Sequence, residues 1–258
     1  MTDDRPILLD LYCCAGGAAK GYHRAGFRVI GVDEVPRPNY PFEFIKADAL
    51  DVLRRIARDG WYPVRDGRSN NQWNMRPAAV HASPPCQKDN PLTKGTNAAN
   101  GWGREHRSWT ADTRALLDRL GLPYVIEQPA GSGEVRRDLM LCMDMFPIGD
   151  PPWVQRHRDF ELSGFTVPQP PHPKHRGYVR GMRHGVVREG PYVAAYGNGG
   201  GKATVAEMQH ALGIDWTDVR EELTEAIPPA YTEYIGAHLL FSLVNAGRLD
   251  HSGVSTWG

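Results

Sequence analysis

A chain of 258 residues is long enough for one large domain, or one plus a small satellite. Hydrophobic residues make up 41%, enough for a core, while 28 Gly and 21 Pro point to many turns and away from a helical bundle. The formal net charge is zero, which counts against a uniformly basic nucleic-acid coat protein, and no apolar run approaches a membrane span.

The opening MTDDRPILLD lacks the basic start of a signal peptide. The four cysteines, Cys13, Cys14, Cys86 and Cys142, form no CxxC pair. Neither a zinc ribbon nor a disulfide framework is indicated, and no metal is expected. Free thiols fit a reducing cytoplasm.

Pro6–Tyr12 reads as a buried strand, a short apolar run bounded by turn formers. CCAGGAAKG follows, then a helical stretch through Tyr22 that Gly26 can end. FRVIGVD is a second strand ending at Asp33, and FEFIKAD a third ending at Asp48. Trp61–Pro77 is polar and reads as irregular. AAVHAS, residues Ala78–Ser83, is a fourth strand running into Pro84-Pro85-Cys86. Lys88–Trp109 has no hydrophobic period and reads as a long loop of the kind used for lids or binding. Thr110–Leu120 is amphipathic and Gly121 stops it; Tyr124–Pro129 is a fifth strand. Thr204 opens a helix with a capping box to Glu207, and Tyr231–Val244 reads as a C-terminal helix. Strands alternating with helices predict an α/β domain around a mainly parallel sheet.

In such a sheet ligands bind beyond the carboxyl ends of the strands. The first strand delivers Cys13–Gly17 to that edge, where small residues let a ligand approach the backbone. Asp33 stands where a carboxylate holds a ribose hydroxyl pair, and Asp48 where one can accept from an adenine amine. The nicotinamide fingerprint GxGxxG is absent. GNGGGKAT, residues 197–204, fails as a P-loop in spacing and because Ala203 stands where Ser or Thr should follow the Lys.

Cys86 follows a buried strand in Ser-Pro-Pro-Cys-Gln, where two prolines stiffen the backbone. A cysteine is more often a buried structural residue, the reading that suits Cys13, Cys14 and Cys142. Prolines and a polar loop set Cys86 apart as a candidate nucleophile. Glu127 ends the fifth strand at the same edge; it reads either as an acid of raised pKa or as an ion-paired loop carboxylate.

Taken in order, these motifs resemble the DNA cytosine-5 methyltransferases. DLYCCAGGAAKGYHRAGF is similar to the family's opening cofactor motif, Ser83–Gln87 to its nucleophile motif and Tyr124–Pro129 to its glutamate strand. Arg156-His157-Arg158 resembles the paired-arginine motif, Thr204–Gly213 the helix after target recognition, and Ala226–Pro229 with Tyr234–Gly236 the closing motif. The resemblance spans residues 7 to about 240, and the compact size suits a phage-type member.

It implies a Rossmann-like fold with S-adenosyl-L-methionine as cofactor, bound by Tyr12, Cys13, Ala15, Gly16, Gly17, Asp33, Glu34, Asp48, Ala49 and Pro84. It implies catalysis by Cys86 and Glu127 with Arg158 and Arg156, and substrate contacts from Gln87, Asn90 and Gln128. Cys86 would add to carbon 6 of cytosine, Glu127 would donate to nitrogen 3, and carbon 5 would take the methyl group. The partner implied is double-stranded DNA with the target cytosine flipped out, met by a monomer.

The implied division is a catalytic domain of residues 1–152 plus 204–258 and a small target-recognition region of residues 153–203. Trp153–Gly190 holds seven Lys/Arg, three Asp/Glu and four His, the best local candidate for a phosphate-facing surface. A region this short predicts short or relaxed sequence specificity.

The chain departs from the family pattern at Cys14 (commonly Gly), Asp89-Asn90 (an aromatic-serine pair), Gln128 (Asn) and Glu225 (Asn). Gln155 directly precedes Arg156, without the family's spacing. Two other readings stand beside the DNA enzyme: the same chemistry on RNA, and a catalytically inactive nucleic-acid-binding relative.

Overall fold

The computed structural model describes residues 3–65, 72–85, 109–147, 149–183, 186–196 and 203–249. Its centre is a sheet of seven strands in the order β3-β2-β1-β6-β7-β9-β8. These are β1 (Ile7–Leu11), β2 (Arg28–Asp33), β3 (Glu43–Lys46), β6 (Ala79–Ala82), β7 (Tyr124–Pro129), β8 (Leu139–Leu141) and β9 (Arg158–Ser163). The first five in spatial order run parallel; β9 pairs antiparallel with both β7 and β8. This is the Rossmann-like methyltransferase sheet that the sequence predicts.

Strand side chains alternate between faces, and both faces here are apolar, as covered parallel strands require. Leu8, Val29, Ala79 and Val125 point into one core; Leu9, Ile30, Val80 and Ile126 point into the other. The first core is closed by α1 (Gly17–Arg24), α4 (Val205–Leu212), α5 (Arg220–Glu225) and α6 (Pro229–Asn245). The second is closed by α2 (Ala49–Asp59), α3 (Trp109–Leu120) and the hairpin of β4 (Tyr62–Arg65) with β5 (Gln72–Met75).

That hairpin corrects the reading of Trp61–Pro77 as irregular. The two four-residue strands are too short to show a period, and only Val64 and Met75 are buried against the sheet.

The C-terminal helix α6 lies close against α1. A Cβ on Gly21 would come 2.1 Å from both Pro229 O and Thr232 Oγ1, so only glycine permits this approach. Thr232 Oγ1 donates to Ala18 O at 2.8 Å across the same seam. The capping box at Thr204 is present: Glu207 N donates to Thr204 Oγ1 at 3.3 Å, and Thr204 N to Glu207 Oε2 at 2.9 Å.

The predicted boundary at residue 153 cuts through the central sheet, because Arg158–Ser163 is its sixth strand. The chain that leaves the sheet begins after Ser163. It includes a second hairpin, β10 (Gly181–Arg183) with β11 (Val186–Arg188). Among the described residues, no helix is long and apolar enough to cross a membrane.

Candidate active site

The strand order reverses between β1 and β6, and in open α/β sheets ligands bind at that point beyond the carboxyl ends. A cavity of about 680 Å³ lies there. Its walls come from the β1–α1 turn, the ends of β2, β6 and β7, the start of β9, and the segment from Thr224 to Ile227.

The β1–α1 turn is tight, with Tyr12, Cys14 and Gly16 all at positive φ (56°, 45° and 81°). The glycines here serve the protein's own packing. A Cβ on Gly16 would meet the Tyr40 ring at 2.9 Å, and one on Gly17 would lie 2.3 Å from Ile227 O. The space expected to admit a ligand to the backbone is therefore filled by Tyr40 and Ile227. Ala15 and Gly16 do not line the cavity; Tyr12, Cys13 and Gly17 do, as do Ala49 and Pro84.

Asp33, expected to hold a ribose, lines the cavity, and both its oxygens already accept hydrogen bonds. Oδ1 accepts from Val35 N at 3.0 Å; Oδ2 accepts from Cys14 N at 3.2 Å and from Arg37 Nε at 2.9 Å. Its neighbour Glu34 is exposed on the cavity wall and offers the freer carboxylate. Asp48 caps α2 by accepting from Asp51 N at 2.9 Å, and it also lines the cavity. A carboxylate has about four lone-pair sites, so the cap leaves room for a second donor.

Two departures from the family pattern turn out to be one contact. Cys14 Sγ donates to Glu225 Oε2 at 3.4 Å, joining the β1–α1 turn to the Thr224–Ile227 wall. Burial, reinforced by the Glu225 charge, pushes the Cys14 thiol up to about 12.

Glu127 lines the cavity and is buried, 2.7 Å from Arg158 Nε. The N–H is not aimed along this contact, so Glu127 Oε1 has the ion pair but no hydrogen-bond donor. Burial raises its pKa above the usual carboxylate range; Arg158, Arg156 and a Ser83 hydrogen bond oppose the rise.

Behind Ser83 runs a buried relay. Tyr22 OH is 3.0 Å from His81 Nδ1, and His81 Nε2 is 3.0 Å from Ser83 Oγ. With Tyr22 donating, the neutral ring carries its proton on Nε2 and donates to Ser83, whose hydroxyl then donates to Glu127. Burial alone drops the His81 pKa to about 3.

A histidine buried neutral makes stability fall as pH falls below its unfolded pKa, because only the unfolded chain takes up the proton. From about pH 6 to about pH 5 the loss from His81 is roughly 1.2 kcal/mol. His81→Gln is expected to remove that share of the pH dependence, read by urea unfolding at the two pH values. An unchanged pH dependence in the variant would contradict it.

Arg156 was expected to hold the base or a phosphate. Instead its guanidinium is spent on backbone carbonyls. It donates to Ala195 O (2.8 Å), Thr224 O (2.7 Å) and Ala226 O (2.6 and 3.1 Å). It is a positioning residue that fastens the cavity wall. Gln128 is likewise behind the wall: its amide donates to Pro84 O at 2.7 Å and to Thr110 Oγ1 at 3.3 Å, steadying the turn that leads to Cys86. Cys86, Gln87, Asp89 and Asn90, with the predicted loop after them, lie outside the described residues.

A seven-stranded, mainly parallel sheet with a cavity at its switch point is the Rossmann-like methyltransferase fold. Among solved structures, the fold matches a protein of an E. coli prophage assigned as a DNA modification methyltransferase. The match covers 93% of this chain and 99% of that one, with a TM-score of 0.55 and 12% identity. The S. pombe Dnmt2 methyltransferase matches over the same shares, with a TM-score of 0.52 and 14% identity. The Entamoeba histolytica methyltransferase EhMeth does so with a TM-score of 0.51 and 12% identity. No family model and no curated protein sequence matches. The likeness is one of fold, and at that level it agrees with the resemblance read from the sequence.

Proposed function

We propose that the chain is an S-adenosyl-L-methionine-dependent methyltransferase acting on carbon 5 of cytosine in double-stranded DNA. The observation that carries this reading is the buried Glu127–Arg158 pair opening into the cavity beside the β1–α1 turn. An acid for the base and a nucleoside pocket thereby share one chamber.

The residues present fit the cofactor. Glu34 and Asp48 line the cavity as acceptors for ribose hydroxyls and an adenine amine, and the N-terminus of α1 opens onto it. When bound, the cofactor supplies a methyl group on a sulfonium. Glu127, in the protonated form that burial favours, donates to ring nitrogen 3, and Arg158 holds the base carbonyl. Cys86, two residues beyond the Pro84 carbonyl that Gln128 fixes, adds through its thiolate to carbon 6. Carbon 5 becomes enamine-like and nucleophilic; after methylation, loss of its proton expels the thiolate.

Duplex DNA as substrate is supported by the prophage protein of similar fold and by the region after Ser163. That region exposes Tyr178, Met182, Val186 and Val187, and Arg188 lies 5.2 Å over the Tyr178 ring. A cation held on an exposed ring offers a contact for backbone phosphate.

The test is incubation with S-adenosylmethionine and unmethylated duplex DNA, followed by mass spectrometry of the digested nucleosides. 5-Methyldeoxycytidine from the parent and none from Cys86→Ala is expected. Product on RNA alone moves the reading to an RNA enzyme. Cofactor binding without product on any nucleic acid overturns it.

A further inference from the structure

The β8–β9 ladder pairs Leu141 with Arg158, and one residue beyond that pair stand Cys142 on one strand end and His157 on the other. The Pro-His-Pro-Lys-His run brings His172 and His175 against them. The Cys142 thiol and one nitrogen of each of the three imidazoles all lie within 4.8 Å of one another. Cys142 Sγ is 3.6 Å from His175 Nε2, and His157 Nε2 is 3.1 Å from His172 Nε2.

The two shorter separations, 3.6 and 3.1 Å, are close to a tetrahedron's edges, and the 4.8 Å bound leaves the rest to close on a bound ion. Zinc–nitrogen bonds of ~2.0–2.1 Å and zinc–sulfur bonds of ~2.3 Å give edges of ~3.3–3.4 Å between nitrogens and ~3.5 Å between nitrogen and sulfur. His157 stacks on His172 and two hydrogen bonds join the cluster in pairs, but neither requires all four donor atoms to converge. Three imidazoles this close repel one another if protonated, and neutral they satisfy few of one another's nitrogens.

We propose that Cys142, His157, His172 and His175 form a structural zinc site of one thiolate and three imidazole ligands. Soft and borderline donors select zinc over magnesium or calcium, and four protein ligands leave no open position for catalysis. On binding, the Cys142 thiol releases its proton to solvent and the histidines bind as neutral rings. Asp144 lies beside the site, on the same nitrogen of His175 that faces Cys142. Its Oδ2 lies 3.7 Å from His175 Nε2, and its Oδ1 accepts from Tyr192 OH at 2.6 Å. That tyrosine oxygen also accepts from Arg176 N at 2.9 Å, fixing the chain just after His175. The metal thus pins the proline-rich segment to the sheet edge beside Arg158. This replaces the expectation of no metal, which rested on the lack of a CxxC pair.

The full chain, expressed with zinc in the medium, is expected to carry one zinc per molecule by elemental mass spectrometry. Exchanged for cobalt(II), it should show intense tetrahedral bands in the visible and a thiolate charge-transfer band in the near ultraviolet. Cys142→Ser should lose the near-ultraviolet band. His172→Gln, at an exposed position where the fold is safe, should weaken cobalt binding by about tenfold or more. Protein free of zinc that gives no thiolate band with cobalt overturns the proposal. So does a band that survives in Cys142→Ser, since the metal would then sit elsewhere. None of these readouts depends on methyl transfer.

Discussion

Glu127→Gln is expected to lower the turnover number for methyl transfer by about a hundredfold or more, while cofactor affinity stays within about twofold. The glutamine keeps the shape and one amide donor but has no proton to give and no titration. Native Glu127 is buried and sits against two arginines and Ser83. Burial raises its pKa and the arginines restrain the rise, so the protonated form persists to higher pH than for a free glutamate. In the native enzyme the rate should therefore decline as pH climbs through that raised pKa, and the variant should lack this limb. Steady-state kinetics across pH, with calorimetric titration of the cofactor, measure both. Native turnover in the variant would remove Glu127 from the chemistry.

The features legible in the sequence were those with strong local signals. β1, β2, β6 and β7 are buried on both faces, and each reads as a short continuous apolar run. The Thr204–Glu207 box is a local hydrogen-bond pattern, visible wherever its residue types recur at that spacing. What escaped depends on distant partners. β4 and β5 each bury a single residue, Val64 and Met75, and show no apolar run or period, and β8 is only three residues long. β9 is half buried by charge: Asp159 and Glu161 lie inside because Arg137 and Arg114 meet them. Apolar patterning cannot see such a strand.

The site shows the same division. Glu127 at a strand end was readable because an apolar run leads into it. The engagement of Asp33 was not, since it turns on Arg37 four residues later and on the Cys14 amide. Cys14 and Glu225 look like two separate departures until the fold joins them. The thiol and imidazole cluster is spread over residues 142, 157, 172 and 175, with no pair at a familiar metal spacing except His172 and His175.

Arg156→Met tests whether the paired arginines divide their work as the geometry says. Removing the guanidinium strips donors from three carbonyls, at Ala195, Thr224 and Ala226. The expected loss is about 3–5 kcal/mol of stability, at about 1–3 kcal/mol for each acceptor left without a donor. Thr224–Ile227 is also a wall of the cavity, and Ile227 O sits against Gly17, so cofactor affinity should fall along with stability. Arg158→Met should behave oppositely. It removes the ion pair to Glu127 and so raises the Glu127 pKa further, because the charge that favoured the carboxylate is gone. Turnover should drop with little change in cofactor affinity. Urea unfolding and cofactor titration on the two variants separate the roles. If Arg156→Met unfolds like the native chain yet loses turnover alone, Arg156 reaches the base after all. If both behave as stated, one arginine of the motif builds the chamber and its neighbour works inside it.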